Sequence, residues 1–204
     1  MGVPTRLAYA LLTLTLCAAA AVGGVVIASR GNDGADGVAV GTTGWAGFIR
    51  PPGATAPDFA LRDQDGKRVT MADYRGRPFA IAFVYSTCED TCPALVDQVR
   101  GALDETGADV PLLAVSVDPA GDTRASARRF LNERRMTGRA RFLLGDERAL
   151  APVWKGYGVA PQRGELDHSA TVVLVDAQGR QRVGFPHDQL TPEALAHDIR
   201  RLTG

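Results

Sequence analysis

The chain has 204 residues, with 23 basic and 23 acidic side chains and a 45% hydrophobic fraction, which suits one ordinary globular domain plus a short extra segment. Its arginines are interleaved with acids, as in RASARRFLNERR (residues 124–135), rather than gathered into an aromatic-studded basic face, so a nucleic-acid-binding role is disfavoured.

From Leu7 to Ser29 no side chain is charged. The stretch LAYALLTLTLCAAAAVGGVVIAS meets the about 20 apolar residues a bilayer span needs and exceeds the about 7–15 of a signal peptide. Residues 1–30 therefore read as a membrane anchor; the alternative is a signal cleaved near the small residues Ala18–Ala21, which would leave a secreted domain. Arg6 precedes the segment, whereas Arg30 is soon followed by Asp33 and Asp36, so the positive-inside rule sets the C-terminal domain on the extracytoplasmic side. Cys17 belongs to the apolar segment, which leaves Cys88 and Cys92 as an even pair in a compartment where disulfides persist.

Residues 31–54 are rich in Gly, Ala and Pro and read as a flexible tether, with Trp45 and Phe48 expected to dock on the domain that follows, residues 55–204. FALRDQDGKRVTM (59–71) predicts a hairpin turning at Asp65-Gly66. FAIAFVY (79–85) and VPLLAVSV (110–117) are short continuous apolar runs, the pattern of strands covered on both faces. Between them PALVDQVRGALDE predicts a helix, with Leu95, Val96, Val99 and Leu103 on one stripe. Asp122 or Thr123 caps a further helix carrying Phe130 and Leu131, and another short helix is expected over 147–155. SATVVLVDAQGRQRVGF (169–185) reads as two antiparallel strands around Gln178-Gly179, and a last helix starts near Pro192. This is the element order of an α/β, thioredoxin-like domain: a central mixed sheet flanked by helices.

In YSTCEDTCPALVDQ (85–98), Pro93 predicts a helix that begins after the second cysteine, with Cys92 near its N-cap and residues 88–91 in a loop from the preceding strand. The positive end of the helix dipole favours thiolates there, while Glu89 and Asp90 oppose them. Three readings stay open for the pair: two buried apolar thiols, a thiol-disulfide couple, or soft metal ligands, with copper suiting an open site and zinc a closed one. Of the histidines, His197 falls off the last helix's apolar stripe and is expected in solvent, and His187 reads as a surface loop residue. His168, just before a strong strand, is the candidate third ligand, with Asp167 able to orient a ligand or serve the strand start.

Taken together, APDFALRDQDG (56–66), FVYSTCEDTCP (83–93), AVSVDPAGDT (114–123) and DHSATVVLVDAQGR (167–180) resemble the Sco (SenC-type) family of thioredoxin-fold copper proteins involved in cytochrome c oxidase assembly, over about residues 55–203. The resemblance implies that Cys88, Cys92 and His168 bind copper, as Cu(I) and also Cu(II), and that Asp122 is an acidic residue near the site. It implies a membrane-tethered metallochaperone that passes copper to the copper-site subunit of the oxidase. The alternative it carries is a thiol-disulfide oxidoreductase in which Cys88 and Cys92 are the redox pair and keep a partner's copper-site cysteines reduced. Glu89 departs from the proline common after the first cysteine of that family. Peroxidase chemistry is disfavoured, because it asks for a threonine three residues before its cysteine, and Tyr85 and Glu89 stand there.

Overall fold

The computed structural model describes residues 40–41, 44–162 and 170–204. In chain order the strands are β1 Phe48–Ile49, β2 Ala60–Arg62, β3 Arg68–Thr70, β4 Phe79–Val84, β5 Leu112–Ser116, β6 Ala140–Leu143, β7 Thr171–Val175 and β8 Gln181–Pro186. The helices are α1 Thr91–Thr106, α2 Arg124–Glu133, α3 Glu147–Tyr157 and α4 Pro192–Thr203. Among the described residues none of the helices is long and apolar enough to cross a membrane, and the span 7–29 lies outside those residues.

Among the described residues six strands form one mixed sheet in the order β1-β8-β7-β4-β5-β6, and β2 and β3 make a separate hairpin. β4, β5 and β6 run parallel, whereas β7 returns antiparallel beside β4, with Ala82 opposite Val172. All six residues of β4 and all five of β5 are buried, as their continuous apolar sequences require. Alternate side chains feed two cores. Ala80, Ala82, Val84, Leu112 and Ala114 meet α1, α2 and α4, while Phe79, Ile81, Phe83, Leu113 and Val115 meet α3 and the β2–β3 hairpin. The arrangement is the thioredoxin-like mixed sheet flanked by helices that the element order predicts.

The turns fall where expected, because Gly66 and Gly179 take positive φ values of 81° and 79° that other residues rarely adopt. α1 departs from expectation: it starts at Thr91 behind an Asp90 N-cap, so Cys92 lies inside the first turn. Proline is tolerated throughout that turn, whose N–H groups have no intrahelical partner, and Pro93 therefore does not force the start past Cys92. β6 was not expected at all; its ARFL sequence has one arginine among three apolar residues and no room for a period to show.

The end of the span read as a tether, residues 44–54, lies against the sheet. β1 pairs antiparallel with β8, and Trp45 is 8% exposed beneath Arg182 and Arg201, whose guanidinium carbons stand 5.5 and 4.9 Å from its ring centre. Gly47 passes so close to Phe185 that an added Cβ would meet its Cζ at 2.7 Å. Phe48, expected to dock, is instead exposed, as is its β1 neighbour Ile49, and Trp45 and Phe185 fill the core beside this edge. Asp198 clasps this segment from α4, accepting 2.9 Å hydrogen bonds from the N–H groups of Ala46 and Gly47 while fully buried itself. Asp198→Ala should destabilise the chain by about 2 kcal/mol, the loss of two buried hydrogen bonds at about 1 kcal/mol each, and hydrogen exchange should rise at residues 46–50 first. An unchanged exchange pattern there would remove the clasp.

Candidate metal centre

The site grows from the carboxyl end of β4. That strand is held on both sides, so the chain leaving it at Tyr85 starts from a rigid base, and Val117 N–H donates to Val84 O at 3.0 Å to fix the neighbouring strand end. The turn Tyr85–Cys88 closes with Cys88 N–H donating to Tyr85 O at 3.3 Å. The first turn of α1 then brings the second cysteine back: Cys92 N–H donates to Cys88 Sγ at 3.3 Å, and Thr91 Oγ1 lies 3.7 Å from the same sulfur. Both thiols are buried and neither is in a disulfide.

Their electrostatics diverge. The Cys92 thiol donates toward Cys88 sulfur, and although burial opposes ionisation, the N–H groups of Cys92 and Asp90 and the Thr91 hydroxyl add to the pull, so Cys88 is held well below the ordinary thiol range. Cys92 goes the other way, raised by that same hydrogen bond, by burial and by the nearby Cys88 and Asp122 charges. Glu89 and Asp90 point to solvent, which is why the donors rather than these acids decide the outcome at Cys88.

Behind the loop sits a polar network that sequence reading did not anticipate as a unit. Asp122 Oδ1 accepts from Ser86 N–H and Ser86 Oγ, both at 2.6 Å, and its Oδ2 accepts from Ser116 Oγ at 2.5 Å. Thr123, not Asp122, caps α2, accepting from Ser126 N–H at 3.0 Å. Ser86 Oγ also lies 2.7 Å from Ser126 Oγ, and Ser116 O accepts from Trp154 Nε1 at 2.9 Å, so helices on both faces of the sheet bear on the residue two before Cys88. Serines ending otherwise apolar strand runs, as Ser116 ends LLAVS, are the sequence signal for such a network. Burial raises the Asp122 carboxyl above the ordinary carboxylate range despite these donors.

His168 and Asp167 lie outside the described residues. The residues that bracket them are anchored at the cysteine end of the sheet: Gln162 N–H donates to Val117 O at 3.0 Å, and Ala170 O accepts from His187 N–H at 3.1 Å beside the β4 terminus that the β4–β7 register defines. His187 is exposed, as expected. His197 is not in open solvent; it is half-buried with Nε2 3.3 Å from Gly44 O, because the chain at 44–47 folds over that face of α4.

The SCO1/SenC family model matches residues 49–204. The chain belongs to the SCO1/SenC family. The mitochondrial SCO2 homolog of Bos taurus is 31% identical over 137 residues, covering 60% of this chain and 50% of that protein. The chain thus spans about half the length of the curated relatives it matches. The copper-bound structure of ScoI from Bradyrhizobium japonicum is 33% identical with a TM-score of 0.62, over 73% of this chain and 99% of that one. At 20% identity and a TM-score of 0.65, the structure of BsSco, described as a member of the Sco family of cytochrome c oxidase assembly proteins with a disulfide switch, shares the fold over 76% of this chain and 97% of its own. The family match and the ordering of APDF, CEDTC and DHSATVV along one SCO1/SenC domain agree.

Proposed function

We propose that this SCO1/SenC protein is a copper chaperone: it takes copper on Cys88, Cys92 and His168 and passes it to a copper site of cytochrome c oxidase during assembly, from a domain anchored by residues 1–30 on the extracytoplasmic side. The observation that carries the reading is the convergence of the two cysteines on one helical turn at the end of β4, with Cys88 held toward its thiolate. Thiolate sulfur is the donor preferred by Cu(I), and an imidazole added to two sulfurs accommodates Cu(II) as well. The donor set fits copper on chemical grounds, and the copper bound by the 33% identical ScoI supports the choice of metal.

Copper here is cargo. A cysteine pair at a loop, backed by a rigid sheet but open to the surface at Thr87, Glu89 and Asp90, suits a ligand exchange in which an incoming thiolate of the acceptor replaces one Cys–Cu bond at a time. The test is a competitive titration of the reduced chain with Cu(I) and Cu(II). One tightly held equivalent is expected, with Cu(II) affinity weakened by roughly tenfold or more in His168→Ala. An unchanged affinity for both ions would remove His168 from the site.

A second reading has its own support. The sulfur contact pairs a nucleophile-like Cys88 with a protonated Cys92 in its first-turn neighbour, the asymmetry an exchange couple uses. That reading expects the copper-free chain to reduce a peptide disulfide, with one Cys88–Cys92 disulfide formed per peptide disulfide opened into two thiols. No exchange in a defined thiol buffer would count against it.

A further inference from the structure

Among the described residues, the exposed large hydrophobic side chains are Val40, Phe48 and Ile49, at 44%, 58% and 50% exposure. All three belong to the stretch that leads into the domain. Among the described residues β1 is one of the two edge strands of the sheet, so Phe48 and Ile49 are carried on a strand rather than on a loop. Around them the surface is cationic. Arg50 follows directly, donating through Nε to Gln181 at 3.0 Å, and Arg182 and Arg201 bracket Trp45. Trp45, Ile49, Arg50, Arg180 and Arg182 share a shallow groove of about 200 Å³. Of the acids nearby, Asp176 is engaged by Arg180 and Arg182 and Asp198 is wholly buried, so the face presents arginine to solvent.

Two exposed apolar side chains flanked by arginines on long apolar stems are the composition of a lipid–water interface contact. We propose that the β1 edge, through Phe48, Ile49 and the arginines around Trp45, lies on the surface of an anionic bilayer. The bilayer is preferred to other occupants because of where this edge stands in the chain. Ser29 ends the uncharged segment, and residues 30–47 can extend at most roughly 60 Å, so with the segment inserted the edge is leashed to the surface. This argument rests on the anchor reading given above. A leash makes docking intramolecular, and a small patch then suffices. The consequence concerns orientation: β1 flanks the sheet, whereas the cysteines lie at the strand ends, so the thiol site opens along the membrane plane rather than away from it.

The test uses the full chain in phosphatidylcholine–phosphatidylglycerol vesicles whose acyl chains are brominated near the headgroup. In Phe48→Trp the added indole reports on the patch, while Trp45 and Trp154, both buried, give the same background as in wild type. Position 48 is exposed, so the thermal unfolding curve should match wild type and certify the fold. Emission of the added indole is expected to fall by about half, with far less quenching when the anionic lipid is omitted. Extraction at alkaline pH, read in parallel, separates the two ideas. A chain that resists extraction but whose indole is unquenched keeps its anchor and overturns docking; a chain that is extracted yet quenched loses the anchor and supports docking. Quenching that fails in vesicles while the indole is shielded in a concentration-dependent way in detergent alone would assign the edge to a second copy and overturn the proposal.

Discussion

Cys88→Ser abolishes stoichiometric Cu(I) binding, with affinity expected to fall at least about a hundredfold, the upper end of what losing even an outer partner of a metal ligand costs. The same variant should lose the far-ultraviolet thiolate absorbance that the wild type retains down toward pH 4, because Cys88 is the ionised member of the pair, its thiol pulled down to about 4 by the Cys92 donor and the helix-start amides. Cys92→Ser separates the two roles. It removes a copper sulfur as well, but a serine hydroxyl still donates to Cys88 Sγ and the Cys92 backbone N–H contact at 3.3 Å survives, so much of the thiolate signal should remain. Copper competition and a pH titration of absorbance on the two variants check this directly. Equal loss of thiolate signal in both would mean that the Cys92 sulfur itself, which a serine hydroxyl does not replace, sets the ionisation of Cys88.

Asp122→Ala is the substitution expected to cost most in stability. Ser86 N–H, Ser86 Oγ and Ser116 Oγ all donate to its carboxylate, and Ala leaves them facing a buried space. At about 1 kcal/mol per bond the loss is about 3 kcal/mol, or roughly 10 °C in Tm for a chain of this size. Copper affinity should fall with it, since Ser86 fixes the turn into Cys88. Asp122→Asn keeps the volume and can still accept from Ser86 N–H, so it should recover most of the Tm. It also reports on pH. Burial raises the folded carboxyl above its unfolded value, so the folded chain binds this proton more tightly; its contribution is full below the ordinary carboxylate range and is lost as pH rises through the folded value. The fall in stability across that window should flatten in Asp122→Asn, and an identical pH profile in the two proteins would show that Asp122 does not set it.

Much of this was legible because the informative segments are long or strongly constrained. FAIAFV and LLAVS could be little other than buried strands, and Thr191-Pro192 marks the start of α4 through the cap and the fixed proline φ. The cysteines were visible as a site because a strand end, two polar residues and a helix start meet around them. What escaped notice depends on contacts distant in sequence. Asp198 sits between His197 and Ile199 like any helix-surface acid, and its partners, the Ala46 and Gly47 amides, lie more than a hundred residues earlier. β1 has only two residues, and β6 only four, too few for periodicity to appear. Asp122 was recognised as an acid near the site or a helix cap, and the choice between them needed the neighbouring Thr123 to be seen taking the cap.

The strand order also has a consequence for how the thiols are made. β4 pairs with β5 after a short connection, Ala80 to Leu112, but its other neighbour, β7, arrives only with Phe79 opposite Val175. Closing that second loop, roughly three times as long, costs about 1 kcal/mol more in chain entropy, and during synthesis β7 is also the later to emerge. A nascent chain therefore holds Cys88 and Cys92 on a half-built sheet before β7 and β8 seal its other side. An oxidant met at that stage reaches the pair before the final hairpin docks.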